Sequence, residues 1–188
     1  HRIAIARYGD PTQDMLRAYW PALITFGAFV IGFIAFTVAA LRGGAPGSAE
    51  LALMALLAGA QLLVETGRSL FAYPYPWQDL RLFSLVVIAS AFSLTLVAYL
   101  LRRFTERTLP WRLAALLPVL ALHVVVFLNA QGYDAKVAFV LIDTALLSLF
   151  AAAWWAYKRK PDALAHLIAL AIFIGVGFFT RSAFLDLF

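Results

Sequence analysis

The chain has 188 residues, of which 64% are hydrophobic and 13% are charged, and its formal net charge is +5. A soluble domain is about half apolar and a quarter charged, so this composition excludes a soluble domain and indicates a membrane protein whose partner is the lipid bilayer. The basic residues lie between apolar segments, which argues against nucleic acid as a partner, and the absence of cysteine excludes disulfide and thiolate chemistry.

The first part of the chain is more polar than the rest. Residues 1–18 are predicted to be the end of an extramembrane segment followed by the start of an interfacial helix, and residues 19–188 a membrane helical bundle. The stretch RIAIARY alternates in polarity and is a candidate for the last strand of a preceding domain. Asp10 and Pro11 are typical of a helix cap and a first helical residue, so the first helix should begin before the membrane.

Six apolar segments are long enough to cross a bilayer, which needs roughly 20 residues per helix. Strands of a membrane barrel would be about half as long and would alternate in polarity. The predicted fold is therefore an all-α polytopic membrane bundle with six transmembrane helices, and we expect a seventh helix after residue 188. The predicted spans are residues 19–41, 50–72, 82–101, 113–129, 136–157 and 163–180.

Several residues predict where these helices begin, end or bend. Ser48 is a candidate N-cap of the second helix. Pro74 and Pro76 should end that helix, so that residues 73–77, with their Tyr and Trp rings, form a loop at the membrane interface. Pro118 predicts a kink in the fourth helix.

The short loops differ in their content of Lys and Arg, which sets the expected orientation. The loops near 42–49, 102–112 and 158–162 are predicted to be cytoplasmic, and the amino terminus outside, in a bacterial inner membrane. Two basic residues, Arg81 and Lys136, occupy the opposite loops. The eight basic residues on the cytoplasmic side are Arg42, Arg102, Arg103, Arg107, Arg112, Lys158, Arg159 and Lys160.

Ionisable residues inside the spans indicate a candidate site. Glu65, His123 and Asp143 each lie about 10 Å below the outer surface at 1.5 Å of rise per residue. Such residues normally face a bundle interior or a watery cavity, and they are candidates for function. We therefore predict a ligand-binding or switch site, with Asn129 and Thr180 at its rim. Its residues are Glu65, Arg68, His123, Asp143, Gln61 and Arg181.

A purely structural interpretation of these residues stays open. Glu65 and Arg68 can form a local ion pair, and a protonated Asp143 can form an interhelical hydrogen bond worth about 0.6 kcal/mol. No catalytic residue, metal or cofactor is predicted. His123 and His166 lie near opposite faces of the membrane, which argues against a shared haem or metal, and neither HExxH nor GxSxG occurs.

The stretches RIAIARYGDP and KRKPDALAHLIALAIFIGVGFFTR, together with the outside amino terminus and the short loops, carry a resemblance to a known family. The chain resembles the bacterial seven-transmembrane receptors with diverse intracellular signalling modules. This resemblance implies an extracellular domain, seven helices, and a cytoplasmic output such as a histidine kinase, a diguanylate cyclase or a phosphatase. The Tyr–Asn pair associated with the first helix of that family is absent, and no site residue is carried over.

The predicted function is a membrane sensor, itself not an enzyme. It would pass an extracytoplasmic or intramembrane stimulus to a cytoplasmic output domain, in two-component or cyclic-di-GMP signalling. A small-molecule ligand and a homodimer are expected partners. Two alternatives stay open: a transporter or channel, which needs a polar path through the bilayer, and an intramembrane lipid-modifying enzyme, in which Glu65 or His123 acts as general base.

Overall fold

A computed structural model describes residues 11–70, 75–105 and 108–185, with side chains for residues 19–66, 77–105 and 108–175. Asp10 and the alternating stretch before it lie outside the described residues, and Pro11 is the first described residue of the first helix. The described chain forms six helices. Their bounds are α1 (Pro11–Leu41), α2 (Ser48–Leu70), α3 (Tyr75–Phe104), α4 (Leu109–Asn129), α5 (Tyr133–Tyr157) and α6 (Ala163–Leu185).

Helix length and hydropathy confirm an all-α, multi-pass membrane protein. The described apolar part of α6, Ala163–Gly175, is shorter than a full crossing, so the sixth crossing and the seventh helix stay predictions. The five stretches long enough to cross a membrane are Tyr19–Leu41, Ser48–Thr66, Trp77–Phe104, Leu109–Asn129 and Tyr133–Tyr157.

The outer surface of the bundle presents large apolar side chains. Ile31, Leu128 and Phe150 are 69%, 75% and 73% exposed. In water an apolar surface of this extent would cause aggregation. Acyl chains are as apolar as these side chains, so the surface matches a lipid environment.

Helix α3 is the centre of the bundle. It packs against α2, α4 and α5, while α1 packs on α2 and α6 packs on α5. Its buried face runs through Ala89, Ser93, Leu96 and Leu100, at helical spacing. Ala89 and Ser93 are fully buried, since small side chains let neighbouring backbones approach closely in a membrane.

Two ion pairs connect the end of α3 to the starts of α2 and α6. Arg102 Nη1 lies 2.8 Å from Glu50 Oε1, and Arg103 Nη2 lies 2.6 Å from Asp162 Oδ2. These contacts place the ends of α1, α3 and α5 at one side of the bundle, which we call the basic end. Glu50 also lies in the first turn of α2, where a negative charge is favourable.

Two local predictions were wrong. Residues 75–77 belong to the first turn of α3 and do not form a loop, because proline is well suited to the first helical turn. Residues 71–74 lie outside the described part of the chain. Ser48 is the first residue of α2 and its Oγ donates to the carbonyl oxygen of Ala45 at 2.8 Å, so it does not act as the predicted N-cap.

Candidate functional site

Glu65, the first residue of the predicted site, lies exposed on α2. Its Oε1 accepts a hydrogen bond of 3.2 Å from Gln61 Nε2, one turn earlier on the same helix. Among the described residues, α2 packs against α1 and α3 and makes no extensive contact with α4 or α5. The side chains of Arg68 and Arg181 lie outside the described residues, so their predicted roles stay predictions.

His123 lies at the junction of three helices. It is 4% exposed on α4, and its Nε2 lies 3.2 Å from Ser93 Oγ on α3. Ser93 Oγ in turn lies 2.5 Å from Thr144 Oγ1 on α5. Ser93 and Thr144 are also buried. These three side chains form the polar junction, a hydrogen-bonded chain that joins α3, α4 and α5.

The polar junction has two possible directions of hydrogen donation. Thr144 Oγ1 lies 2.6 Å from the carbonyl oxygen of Val140, one turn earlier. When Thr144 donates to Val140, Ser93 donates to Thr144 and accepts from the N–H of His123 Nε2. When Thr144 donates to Ser93, Ser93 donates to an unprotonated Nε2. The tautomer of His123 therefore depends on the direction in which hydrogens are donated along the polar junction.

The second ring nitrogen of His123 is the unusual atom of this group. Nδ1 is buried, and the described residues place no hydrogen-bond partner on it. A buried polar group without a partner is costly in hydrocarbon, where no water replaces the missing bond. Asp143, the other predicted residue on this side of the bundle, is half-buried on α5 and immediately precedes Thr144 of the polar junction. The structure thus places His123 in the polar junction and Asp143 next to a member of it in the chain.

Ser93 and Thr144 were not among the predicted site residues. In the sequence they are short hydroxyl residues within apolar spans. Such residues usually form a hydrogen bond with the carbonyl oxygen one turn earlier on their own helix. Their signal is therefore weak, and only the packing of α3 against α4 and α5 shows that Ser93 reaches another helix. The described residues contain no group of three His, Asp or Glu side chains that could hold a metal ion.

Comparison with known proteins does not assign the chain to a family. The chain matches no family model, no curated protein and no solved structure. The resemblance to seven-transmembrane receptors therefore stays a prediction. Helix length and hydropathy identify the chain as a multi-pass helical membrane protein.

Proposed function

We propose that the chain is a membrane sensor module that passes an extracytoplasmic or intramembrane stimulus to a cytoplasmic output domain following residue 188. The observation that carries this proposal is the polar junction, in which the Nε2 of His123 is bonded and the Nδ1 has no described partner. A signalling module needs an element with two arrangements of similar free energy, between which a stimulus can select.

The polar junction supplies such an element. In the arrangement seen here either direction of donation leaves Nδ1 unpaired, as an acceptor in one case and as a donor in the other, so the second arrangement is a position of α4 in which Nδ1 has a partner. Any movement that gives Nδ1 a partner removes the cost of leaving it unpaired. A stimulus that changes the charge or the partner of His123 would therefore favour a different position of α4.

Helix α4 is suited to this movement because little apolar packing holds it. Its buried residues are Val119 and His123, one turn apart on the same face. In a membrane there is no hydrophobic driving force between helices, so packing and interhelical hydrogen bonds determine their association. The hydrogen bond between His123 and Ser93 therefore contributes strongly to the position of α4 against α3.

The two other predicted functions have no specific support. Transport requires a polar path, and lipid modification requires a positioned acid or base beside an accessible substrate. Among the described residues no contact favours either one over the sensor. Solute transport is one of the outcomes of the experiment below.

Replacing His123 by glutamine tests the sensor proposal. Glutamine keeps one donor and one acceptor but cannot exchange tautomers or become charged. We expect the equilibrium between the two arrangements to shift about threefold, which corresponds to one interhelical hydrogen bond. Whole-transcript profiles of cells expressing the full-length protein from its own locus should therefore differ from wild type and from a deletion strain.

The matched control is Ser84→Ala, within the span of α3. Ser84 Oγ donates to the carbonyl oxygen of Leu80 on its own helix, so this change should leave the profile at wild type. Identical profiles in the wild-type, His123→Gln and deletion strains would contradict a sensor. Solute flux through proteoliposomes of the purified protein would support transport instead.

The proposed orientation places the basic end in the cytoplasm. The chain has no cysteine, so single cysteines introduced at Ala45 and Gln131 provide accessible probes at opposite ends of the bundle. A membrane-impermeant maleimide should label Gln131→Cys in intact cells and Ala45→Cys only after lysis. The parent protein is the labelling control, and the reverse pattern would contradict the orientation.

A further inference from the structure

A second feature, separate from the polar junction, is a cavity of about 620 Å³ between α1, α2, α3 and α6. This volume lies in the range of small-molecule sites, about 300 to 1,000 Å³. Its walls include Gly32, Ala55 and Leu96. Because α1 packs on α2 and α6 on α5, with no extensive contact between α1 and α6 in the described chain, the cavity can be entered from the lipid.

One end of the cavity is polar. Among the described residues that line it, Tyr99 and His166 carry the polar side chains, and Tyr99 Oη lies 2.7 Å from His166 Nε2. Phe104 packs edge-on against the His166 ring, with centroids 5.1 Å apart, and Trp155 stacks on Phe104. The pair is therefore held in place by its aromatic neighbours.

The hydrogen positions of this pair follow from its partners. His166 Nδ1 lies 2.8 Å from the backbone carbonyl oxygen of Asp162, which can only accept, so Nδ1 carries the hydrogen. In the neutral ring Nε2 is then an acceptor, and the Tyr99 hydroxyl donates to it. The Tyr99 oxygen keeps acceptor capacity at the polar end of the cavity, where it can bind a ligand that donates.

The polar pair lies at the depth of a lipid head region. Tyr99 is one turn from Arg102 and Arg103, and His166 is one turn from Asp162, so the pair is about 5 Å inside the ion pairs of the basic end. Phe92 and Phe173, which stack with centroids 6.3 Å apart, line the cavity about 10 Å deeper. The cavity is thus polar near the membrane surface and apolar inside it.

We propose that this cavity binds a single-chain amphiphile with an uncharged hydroxyl head, whose hydroxyl donates to Tyr99 Oη and whose apolar chain extends towards Phe92 and Phe173. No Lys or Arg is among its described lining residues, which disfavours a phosphate or carboxylate head. The assignment goes beyond the sensor proposal and does not depend on it.

Photolabelling tests the proposal. The full-length protein in phosphatidylcholine nanodiscs is labelled with a diazirine derivative of hexadecanol, and the labelled peptides are identified by mass spectrometry. Label is expected on cavity residues such as Ala55 and Leu96, and unmodified hexadecanol should compete while its methyl ether should not. Tyr99→Phe should weaken competition about fivefold, as expected for one hydrogen bond. Tyr157→Phe, at an exposed helix end, should leave it unchanged.

Ala169→Trp provides a second variant, because Ala169 is an exposed residue of α6 that lines the cavity and a large ring there fills it. Ala169→Trp should abolish the part of the labelling that unmodified hexadecanol suppresses, even if Tyr99→Phe does not fold. Label spread evenly over lipid-facing helices, or equal competition by the methyl ether, would overturn the proposal in favour of bulk lipid. His123→Gln should not change the labelling, so a failure of the sensor proposal is distinguishable from a failure of this one.

Discussion

Replacing Gly47 by alanine should lower the free energy of unfolding by about 3 kcal/mol, from backbone strain and steric overlap together. Gly47 has φ of +101°, which a residue with a Cβ rarely adopts. A Cβ at this position would also lie 2.6 Å from Cδ2 and Cε2 of the Tyr99 ring. The ring cannot move away freely, because its hydroxyl is bonded to His166.

Unfolding of the purified protein by SDS in mixed micelles, followed by far-ultraviolet circular dichroism, measures this loss. Gly43→Ala is the matched control, since φ is +68° there and nothing lies within 4 Å of the added Cβ. Its free energy of unfolding should fall by only about 1 kcal/mol, from the backbone strain alone. In a Tyr99→Ala background the loss from Gly47→Ala should fall to a similar value. Equal losses for Gly47→Ala and Gly43→Ala in the unaltered chain would refute the contact with Tyr99.

Replacing Ser93 by leucine should also lower the free energy of unfolding by about 3 kcal/mol. Ser93 is fully buried where α3 meets α4 and α5, so the larger side chain must displace neighbours, at a cost of about 1 to 3 kcal/mol. The change also removes the hydrogen-bond partner of His123 Nε2 and of Thr144 Oγ1. Interhelical hydrogen bonds in membranes average about 0.6 kcal/mol, so overpacking supplies most of the loss.

Two further variants separate these contributions under the same SDS titration. Ser84→Leu is the matched control on α3, because Ser84 is half-buried and its Oγ donates to the carbonyl oxygen of Leu80 on its own helix. Ser84→Leu should change the free energy of unfolding by no more than about 0.5 kcal/mol. Ser93→Ala removes the hydroxyl without adding volume, and it should lower the free energy of unfolding by about 1 kcal/mol. A loss for Ser84→Leu as large as that for Ser93→Leu would contradict the special position of Ser93.

The helical architecture was predictable because the bilayer imposes a simple physical rule. Each backbone N–H and C=O within hydrocarbon must be satisfied inside its own segment, so a long apolar segment becomes a helix. The start of α3 was not predictable in the same way, because a proline such as Pro76, which was expected to end one helix, is equally suited to the first turn of the next.

The candidate site was less predictable. Residue depth follows from helical rise, and on this basis Glu65, His123 and Asp143 share a level. Depth does not say which direction a side chain faces around the helix axis. His123 faces Ser93 on α3, whereas Glu65 bonds Gln61 on its own helix, and the sequence alone does not distinguish these cases.

The sequence by itself determined the class of protein, since hydropathy and segment length depend only on local composition. Only the tertiary structure decided that Ser93, His123 and Thr144 meet, and that Tyr99 and His166 form the polar end of an apolar cavity. The physical reason is that both groups join residues at least 30 positions apart, from helices whose rotation and neighbours are set by packing and not by their own hydropathy.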